Sequence, residues 1–157
     1  MTLFENIVKA QDNLNGVVIK TPLQFSINLS DKYQASVYLK REDLQQVRSY
    51  KIRGAYNKIS TLSSEEQDQG VICASAGNHA QGVALSASKL GLNATIVMPI
   101  TTPEIKVAAV KALGGKVLLH GTAFDEANSY AINLANTEGA VYIPPFDDSD
   151  VIAGQGT

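Results

Sequence analysis

From Val71 onward the chain alternates short apolar runs with longer stretches of helical spacing. Val71-Ile72-Cys73-Ala74, Ala94-Thr95-Ile96-Val97-Met98, Val117-Leu118-Leu119 and Val141-Tyr142-Ile143 have strand length and are apolar almost throughout. Between them, residues 78–90, 104–113 and 123–137 place apolar residues every three or four positions, as a helix with one buried face requires. Gly91 and Gly114-Gly115 stop the first two helices, and Thr102-Pro103-Glu104 starts the second with a capping hydroxyl, a proline and an acid. Strands that are apolar on both faces and separated by helices predict an open α/β domain with a parallel sheet covered on both sides. Such sheets bind ligands outside the carboxyl ends of their strands.

The first seventy residues are less regular. Residues 2–14 predict an amphipathic helix with Leu3, Ile7, Ala10 and Leu14 on one face, stopped by Asn15-Gly16. Val17-Val18-Ile19 reads as a short strand ended by Thr21-Pro22, residues 26–33 as a short helix, and Ser36–Lys40 as a strand running into the charged turn Arg41-Glu42-Asp43. Residues 51–62 predict a helix with Ile52, Ala55, Ile59 and Leu62 on one side, and Ser63-Ser64-Glu65-Glu66 opens a polar connection with room for a helical turn.

Composition narrows the function. The 157 residues are 45% hydrophobic and 18% charged, with a net charge of −2 and no lysine–arginine cluster, which argues against nucleic acid or an anionic membrane as partner. No segment is long and apolar enough to span a bilayer, and the first residues lack the basic and apolar regions of a signal peptide. The single cysteine, Cys73, excludes an internal disulfide and fits a reducing cytoplasm. It lies within an apolar strand and reads as buried and inert.

Two stretches carry candidate chemistry. Ser75-Ala76-Gly77-Asn78-His79-Ala80-Gln81-Gly82 follows the first sheet strand and opens a helix, where unpaired first-turn amides attract an anion. Gly77 and Gly82 have P-loop spacing, but Val83 and Ala84 stand where Lys and Ser or Thr are needed; the dinucleotide fingerprint fails because position 79 is histidine. A smaller anion such as a carboxylate remains. His79 reads as a loop-orienting residue and His120 as a strand-end residue, and neither has the spacing of a metal ligand set. The second stretch is Ser49-Tyr50-Lys51-Ile52-Arg53-Gly54-Ala55. Local sequence reads Lys51 first as a surface lysine. The flanking Arg48 and Arg53, with partial burial, would lower its pKa and make a nucleophilic amine.

Read together, Lys40-Arg41-Glu42-Asp43-Leu44-Gln45, Ser49–Asn57 and Ala74–Ala84 resemble the threonine dehydratase (threonine ammonia-lyase) family. The resemblance continues through Ile96–Pro99, Thr102-Pro103, Lys106, Pro145–Asp148 and Val151–Thr157, and so covers nearly the whole chain. It implies the tryptophan-synthase-β-like fold (fold-type II) and the cofactor pyridoxal 5'-phosphate. Lys51 would hold the cofactor as a Schiff base and take the substrate α-proton. Tyr50 would lie against the cofactor ring, where the family usually has Phe, and Asn78 would hydrogen-bond the ring hydroxyl. Ser75, Ala76, Gly77, Asn78 and His79 would hold the substrate carboxylate. Gln46 stands where the family commonly has Pro. The serine racemase branch has a serine at the position of Ala76; alanine has no proton to give, which points to elimination over racemisation.

The reaction implied is dehydration and deamination of L-threonine to 2-oxobutanoate, or of L-serine to pyruvate, with release of ammonia, at the first step towards isoleucine. The resemblance also implies residues 1–50 as the start of a large domain, 51–148 as a small α/β domain and 149–157 as a return to the large one, with a homo-oligomeric parent. It places the phosphate-gripping glycine loop beyond Thr157, so this chain alone is expected not to turn over. Three alternatives stay open: a serine dehydratase, racemase or cysteine synthase relative of the same fold, a non-catalytic α/β binding module, or a fragment with no function of its own.

Overall fold

The computed structural model describes residues 2–157. In chain order its elements are α1 (Leu3–Asn13), β1 (Leu23–Phe25), α2 (Ile27–Tyr33), β2 (Tyr38–Lys40), a 3-10 turn (Glu42–Leu44), α3 (Lys51–Ser60), α4 (Ser64–Gln69), β3 (Val71–Ala74), α5 (Asn78–Leu90), β4 (Ala94–Met98), α6 (Glu104–Ala112), β5 (Lys116–Leu119), α7 (Phe124–Glu138), β6 (Val141–Tyr142) and α8 (Ser149–Gln155). β3 to β6 form one parallel sheet in the order β5-β4-β3-β6. The open α/β architecture expected from the alternating pattern is therefore present.

Alternation along the strands decides which helix covers which face. Val71 and Cys73 of β3, with Ala94, Ile96 and Met98 of β4, pack in one core with α3, α5 and α6. Ile72 and Ala74 of β3, with Val97 of β4, pack in a second core against Ala127, Ala131 and Ala135 of α7. The chain steps outward from β3 to β4 to β5 with its helices on the first face. It then returns past β3 to β6 with α7 on the second. Strand order reverses between β3 and β6, so the crevice at the carboxyl ends of these two strands is the topological switch point.

α3 is held between α5 and α8. A Cβ added at Gly82 of α5 would lie 3.1 Å from the carbonyl carbon and oxygen of Lys51, so the start of α3 rests on the α5 backbone. Across the other side, a Cβ at Gly154 would lie 2.5 Å from the Arg53 carbonyl oxygen, and one at Gly54 would lie 2.8 Å from that of Val151. α8 was not expected from the hydrophobic pattern, because Gly154 and Gly156 argue against a helix. Here glycine is what lets two helices touch. Asp148 caps α8 by accepting from the Asp150 and Val151 amides, and Lys58 of α3 pairs with Asp148 at 3.0 Å and Asp150 at 3.1 Å.

The expected strand at 17–19 is a turn instead, with the Val17 amide donating to the Leu14 carbonyl at 3.0 Å. Among the described residues no strand pairs with Ile19. The buried Gln45 amide takes that place, accepting from the Ile19 N–H at 3.0 Å and donating to its carbonyl at 2.8 Å. The strand that does form is β1, paired antiparallel with β2 through Leu23–Lys40, Gln24–Leu39 and Phe25–Tyr38. Its three residues are too few for the pattern to show.

The turn expected at 41–43 hides an ion pair. Glu42 accepts from Arg53 Nε and Nη2, both at 2.8 Å, and from the Thr21 hydroxyl at 2.5 Å. The Arg53 and Glu42 side chains are only 9% and 13% exposed. Burial opposes ionisation of Glu42, but the bonds from Arg53 and Thr21 outweigh it and hold the carboxyl below its ordinary range.

Two stability measurements follow from this packing. Gly154→Ala must push the α3 backbone away, and should cost about 2 kcal/mol in urea unfolding, whereas Gly77→Ala, with nothing within 4 Å of the added Cβ, should leave the midpoint nearly unchanged. Glu42→Ala strands a buried guanidinium and should cost about 3 kcal/mol by the same measurement; a loss no larger than that of an exposed ion pair would contradict the burial argument.

Candidate active site

The site sits at the switch-point crevice. After β3 the chain makes the loop Ser75-Ala76-Gly77 and enters α5 at Asn78. The Ser75 hydroxyl accepts from the Gly77 amide at 3.2 Å and folds the loop back on itself. No side chain caps α5, and the amides of Asn78, His79 and Ala80 have no hydrogen-bond partner among the described residues. They form a set of aligned donors at the positive end of a 13-residue helix. Asn78 is exposed, Ser75, Ala76 and Gly77 are half-buried, and a Cβ at Gly77 would meet nothing within 4 Å, so this rim is open.

Lys51 is the first residue of α3, and the Gly82 contact sets that helix start beside α5. Its amine donates to the Pro145 carbonyl, 2.5 Å away, on the segment after β6. Among the described residues it has no carboxylate partner, and burial lowers it below the usual lysine range. Tyr50 is 48% exposed, with its ring centroid 5.5 Å from the Lys51 nitrogen.

His79 lies one residue into α5 but does not face the open rim. It is 3% exposed, and its Nε2 lies 3.0 Å from the Ile143 carbonyl oxygen. A carbonyl can only accept, so Nε2 carries the proton and Nδ1 is bare, with no partner among the described residues. Burial drives the imidazole down to about 4; the bond to Ile143 opposes this and the charge of Lys51 adds to it. The backbone N–H of His79 is what the residue offers the rim, and its ring serves the wall behind.

The two sequence stretches are thus joined through the 143–145 segment: the Lys51 amine bonds to the Pro145 carbonyl and the His79 ring to the Ile143 carbonyl, with Tyr50 and the loop of Ser75, Ala76, Gly77 and Asn78 at the starts of α3 and α5. Sequence reasoning did not find Pro145 as the carbonyl facing Lys51, nor Ile143 as the partner of His79. Prolines after a strand signal only a stop. His120 stacks on Tyr130 at 4.0 Å between ring centroids, and burial raises the thiol of Cys73 far above its ordinary range, consistent with an inert residue.

An open parallel α/β sheet with a partly desolvated lysine and free helix-start amides at its switch point can hold a carbonyl compound through the amine and an anion through the amides. The comparisons give this class a family. Residues 14–157 match the model of the pyridoxal-phosphate dependent enzymes, and the chain belongs to that family. It is 51% identical over 156 residues to the biosynthetic L-threonine dehydratase of Bacillus subtilis, covering 98% of this chain and 37% of that one. The processed form of threonine deaminase isoform 2 from Solanum lycopersicum superposes with a TM-score of 0.92 at 54% identity, covering 99% of this chain and 43% of that one. Maize serine racemase superposes with a TM-score of 0.91 at 34% identity, covering 97% and 46%. The first curated relatives are spanned over 23 to 37% of their length.

The neutral His79 leaves a mark on stability. The folded imidazole holds off its proton down to about pH 4, whereas the unfolded one binds it near pH 6.5. Its contribution is therefore complete above about pH 6.5 and is lost as pH falls towards about 4, by about 3 kcal/mol in all. Subtracting the unfolding free energies of a His79→Gln variant from those of the wild type across this window isolates the loss from the carboxylates that titrate alongside; a flat difference would mean the histidine is not held neutral.

Proposed function

We propose that this chain carries the lysine and the substrate-carboxylate wall of an enzyme that dehydrates and deaminates L-threonine, and L-serine more generally, to the 2-oxo acid and ammonia. The observation that carries the reading is the Lys51 amine, without a carboxylate partner and lowered by burial, at the crevice where the 75–79 loop presents free amides. The residues fit pyridoxal phosphate. The amine is set to attack an aldehyde, the exposed Tyr50 ring offers a flat face beside it, and the rim at Gly77 is open. When bound, pyridoxal phosphate supplies the electron sink that lets an amino acid lose its α-proton.

Within that reading each residue has a task. Lys51 would hold the cofactor through its amine and serve as the base for the α-proton. The amides at Asn78 and His79, with Ser75, Ala76 and Gly77 shaping the turn, would bind the substrate carboxylate, and the Asn78 side chain would hydrogen-bond the cofactor's ring hydroxyl. Tyr50 would offer its flat face to the cofactor ring. Ala76 has no hydroxyl to return a proton to the opposite face, which favours elimination over the racemase reading that the maize structure invites. Higher identity to the tomato threonine deaminase points the same way.

Residues 1–50 belong in this reading to a larger domain, 51–148 to a smaller one and 149–157 to the return, supported by the separate β1–β2 pair and the four-stranded sheet. α3 spans the division, since it packs on both α5 and α8. Association of the parent into a homo-oligomer rests in this reading on the family resemblance. A reducing compartment such as the cytoplasm suits the lone buried Cys73.

Incubation with pyridoxal phosphate, borohydride reduction and peptide mass mapping should place the label on Lys51. Lys51→Ala should abolish both this label and the near-violet absorbance that pyridoxal phosphate gains when joined to a lysine. In the complete enzyme, threonine should yield 2-oxobutanoate with little racemised substrate. Label elsewhere, or racemisation as the main outcome, would overturn the assignment.

A further inference from the structure

The segment after β6 has an unusual problem. β6 is two residues long, and its last backbone donor to the sheet is the Ile143 amide, bonded to the Ile72 carbonyl at 2.8 Å. Pro144 and Pro145 follow, and neither has an N–H. This stretch can be tied down only through its carbonyls. Two side chains do so, each from the first turn of a different helix: His79 of α5 donates to the Ile143 carbonyl at 3.0 Å and Lys51 of α3 donates to the Pro145 carbonyl at 2.5 Å.

We infer that His79 is a positioning residue for Lys51: its Nε2–H fixes the Ile143 carbonyl, and the rigid Pro144-Pro145 strut carries that fix to the Pro145 carbonyl, which holds the free lysine amine. The inference rests on the reading of Lys51 as the cofactor lysine for its meaning, but its geometry stands independently. Two prolines with φ locked, and Ile143 restricted by the proline after it, leave little freedom between the two carbonyls. A shift at Ile143 therefore moves Pro145 instead of being absorbed. The start of α3 cannot follow, because Gly82 of α5 abuts the Lys51 backbone.

The histidine is suited to this task because it stays neutral. A neutral imidazole with Nε2 protonated donates to a carbonyl without placing a second positive charge beside the amine. The Pro145 carbonyl in turn gives the free amine a defined resting place, which it leaves when it attacks an aldehyde.

The test reads the amine itself, without cofactor. Trace acetylation of the chain across a pH series, with peptide mass mapping, gives the rate of Lys51 relative to the exposed Lys9. In His79→Leu the acceptor is displaced, and Lys51 should acetylate about tenfold faster than in the wild type. In His79→Gln, whose amide can reproduce the Nε2–H donor, the ratio should stay within about twofold. A wild-type ratio in a folded His79→Leu, or equal changes in both variants, would overturn the inference. Should His79→Leu fail to fold, the imidazole nitrogen resonances of the wild type decide: the Nε2–H form at neutral pH supports it and the Nδ1–H form refutes it. The outcomes separate from the functional reading. Absence of a pyridoxal phosphate label on Lys51 defeats that reading alone, whereas unmoved acetylation ratios defeat only this one.

Discussion

The position of α3 is the constraint on which the rest depends. Lys51 opens this helix, and where its amine lies depends on how the helix start is fixed. Backbone-to-backbone contact fixes it on two sides, through Gly82 of α5 and through Gly54 against Gly154 of α8. Side chains can hop between rotamers, but two helix backbones in direct contact have no slack to give. The three glycines are therefore not flexible points. They are the places where absence of a side chain makes the structure rigid.

A second layer ties the same helix to the amino-terminal segment. Arg53 joins Glu42, the Ile19 carbonyl and the Thr157 hydroxyl, while Asn57 accepts from Asn13 and donates to the Asp150 carbonyl. These groups come from α1, the 3-10 turn, α8 and the last residue, and they converge on one face of α3. A buried charged pair of this kind is weak evidence for net stability, since desolvation offsets most of the attraction. Its effect is selective: any arrangement that separates Arg53 from Glu42 leaves a buried charge unpaired, so the register of α3 against its neighbours is specified.

How much of this was legible depended on how local the cause was. The four sheet strands, α5, α6 and α7 were readable because each carries a continuous apolar run or face in its own sequence, even where, as in β5 and β6, the sheet edge leaves that run only partly buried. The site stretches were readable as chemistry, Lys51 beside an aromatic and Gly77-Asn78 at a helix start. What was not readable came from partners far apart in sequence. Gln45 takes the place of a strand neighbour for Ile19, Glu42 looks like a surface turn residue until Arg53 closes on it, and α8 is hidden by glycines whose reason lies in α3. His79 reads from sequence as a loop-orienting residue, and only the fold shows its ring turned away from the rim towards Ile143.

Lys51 and Arg53 show why the site and its anchor can share one helical turn. Residues two apart on a helix point about 200° apart around its axis, nearly opposite faces. Arg53 therefore meets Glu42 in the amino-terminal layer, where a permanently charged guanidinium is needed and is fully paired. Lys51 faces the crevice, where no carboxylate reaches it and burial lowers its pKa. Were Glu42 able to reach the lysine, it would stabilise the ammonium and raise the pKa that burial lowers. The helix period keeps the two apart. The same short segment thus supplies a fixed charge that holds the helix and, on the other face, a partly buried amine, and the separation of the two depends on α3 being helical from its first residue.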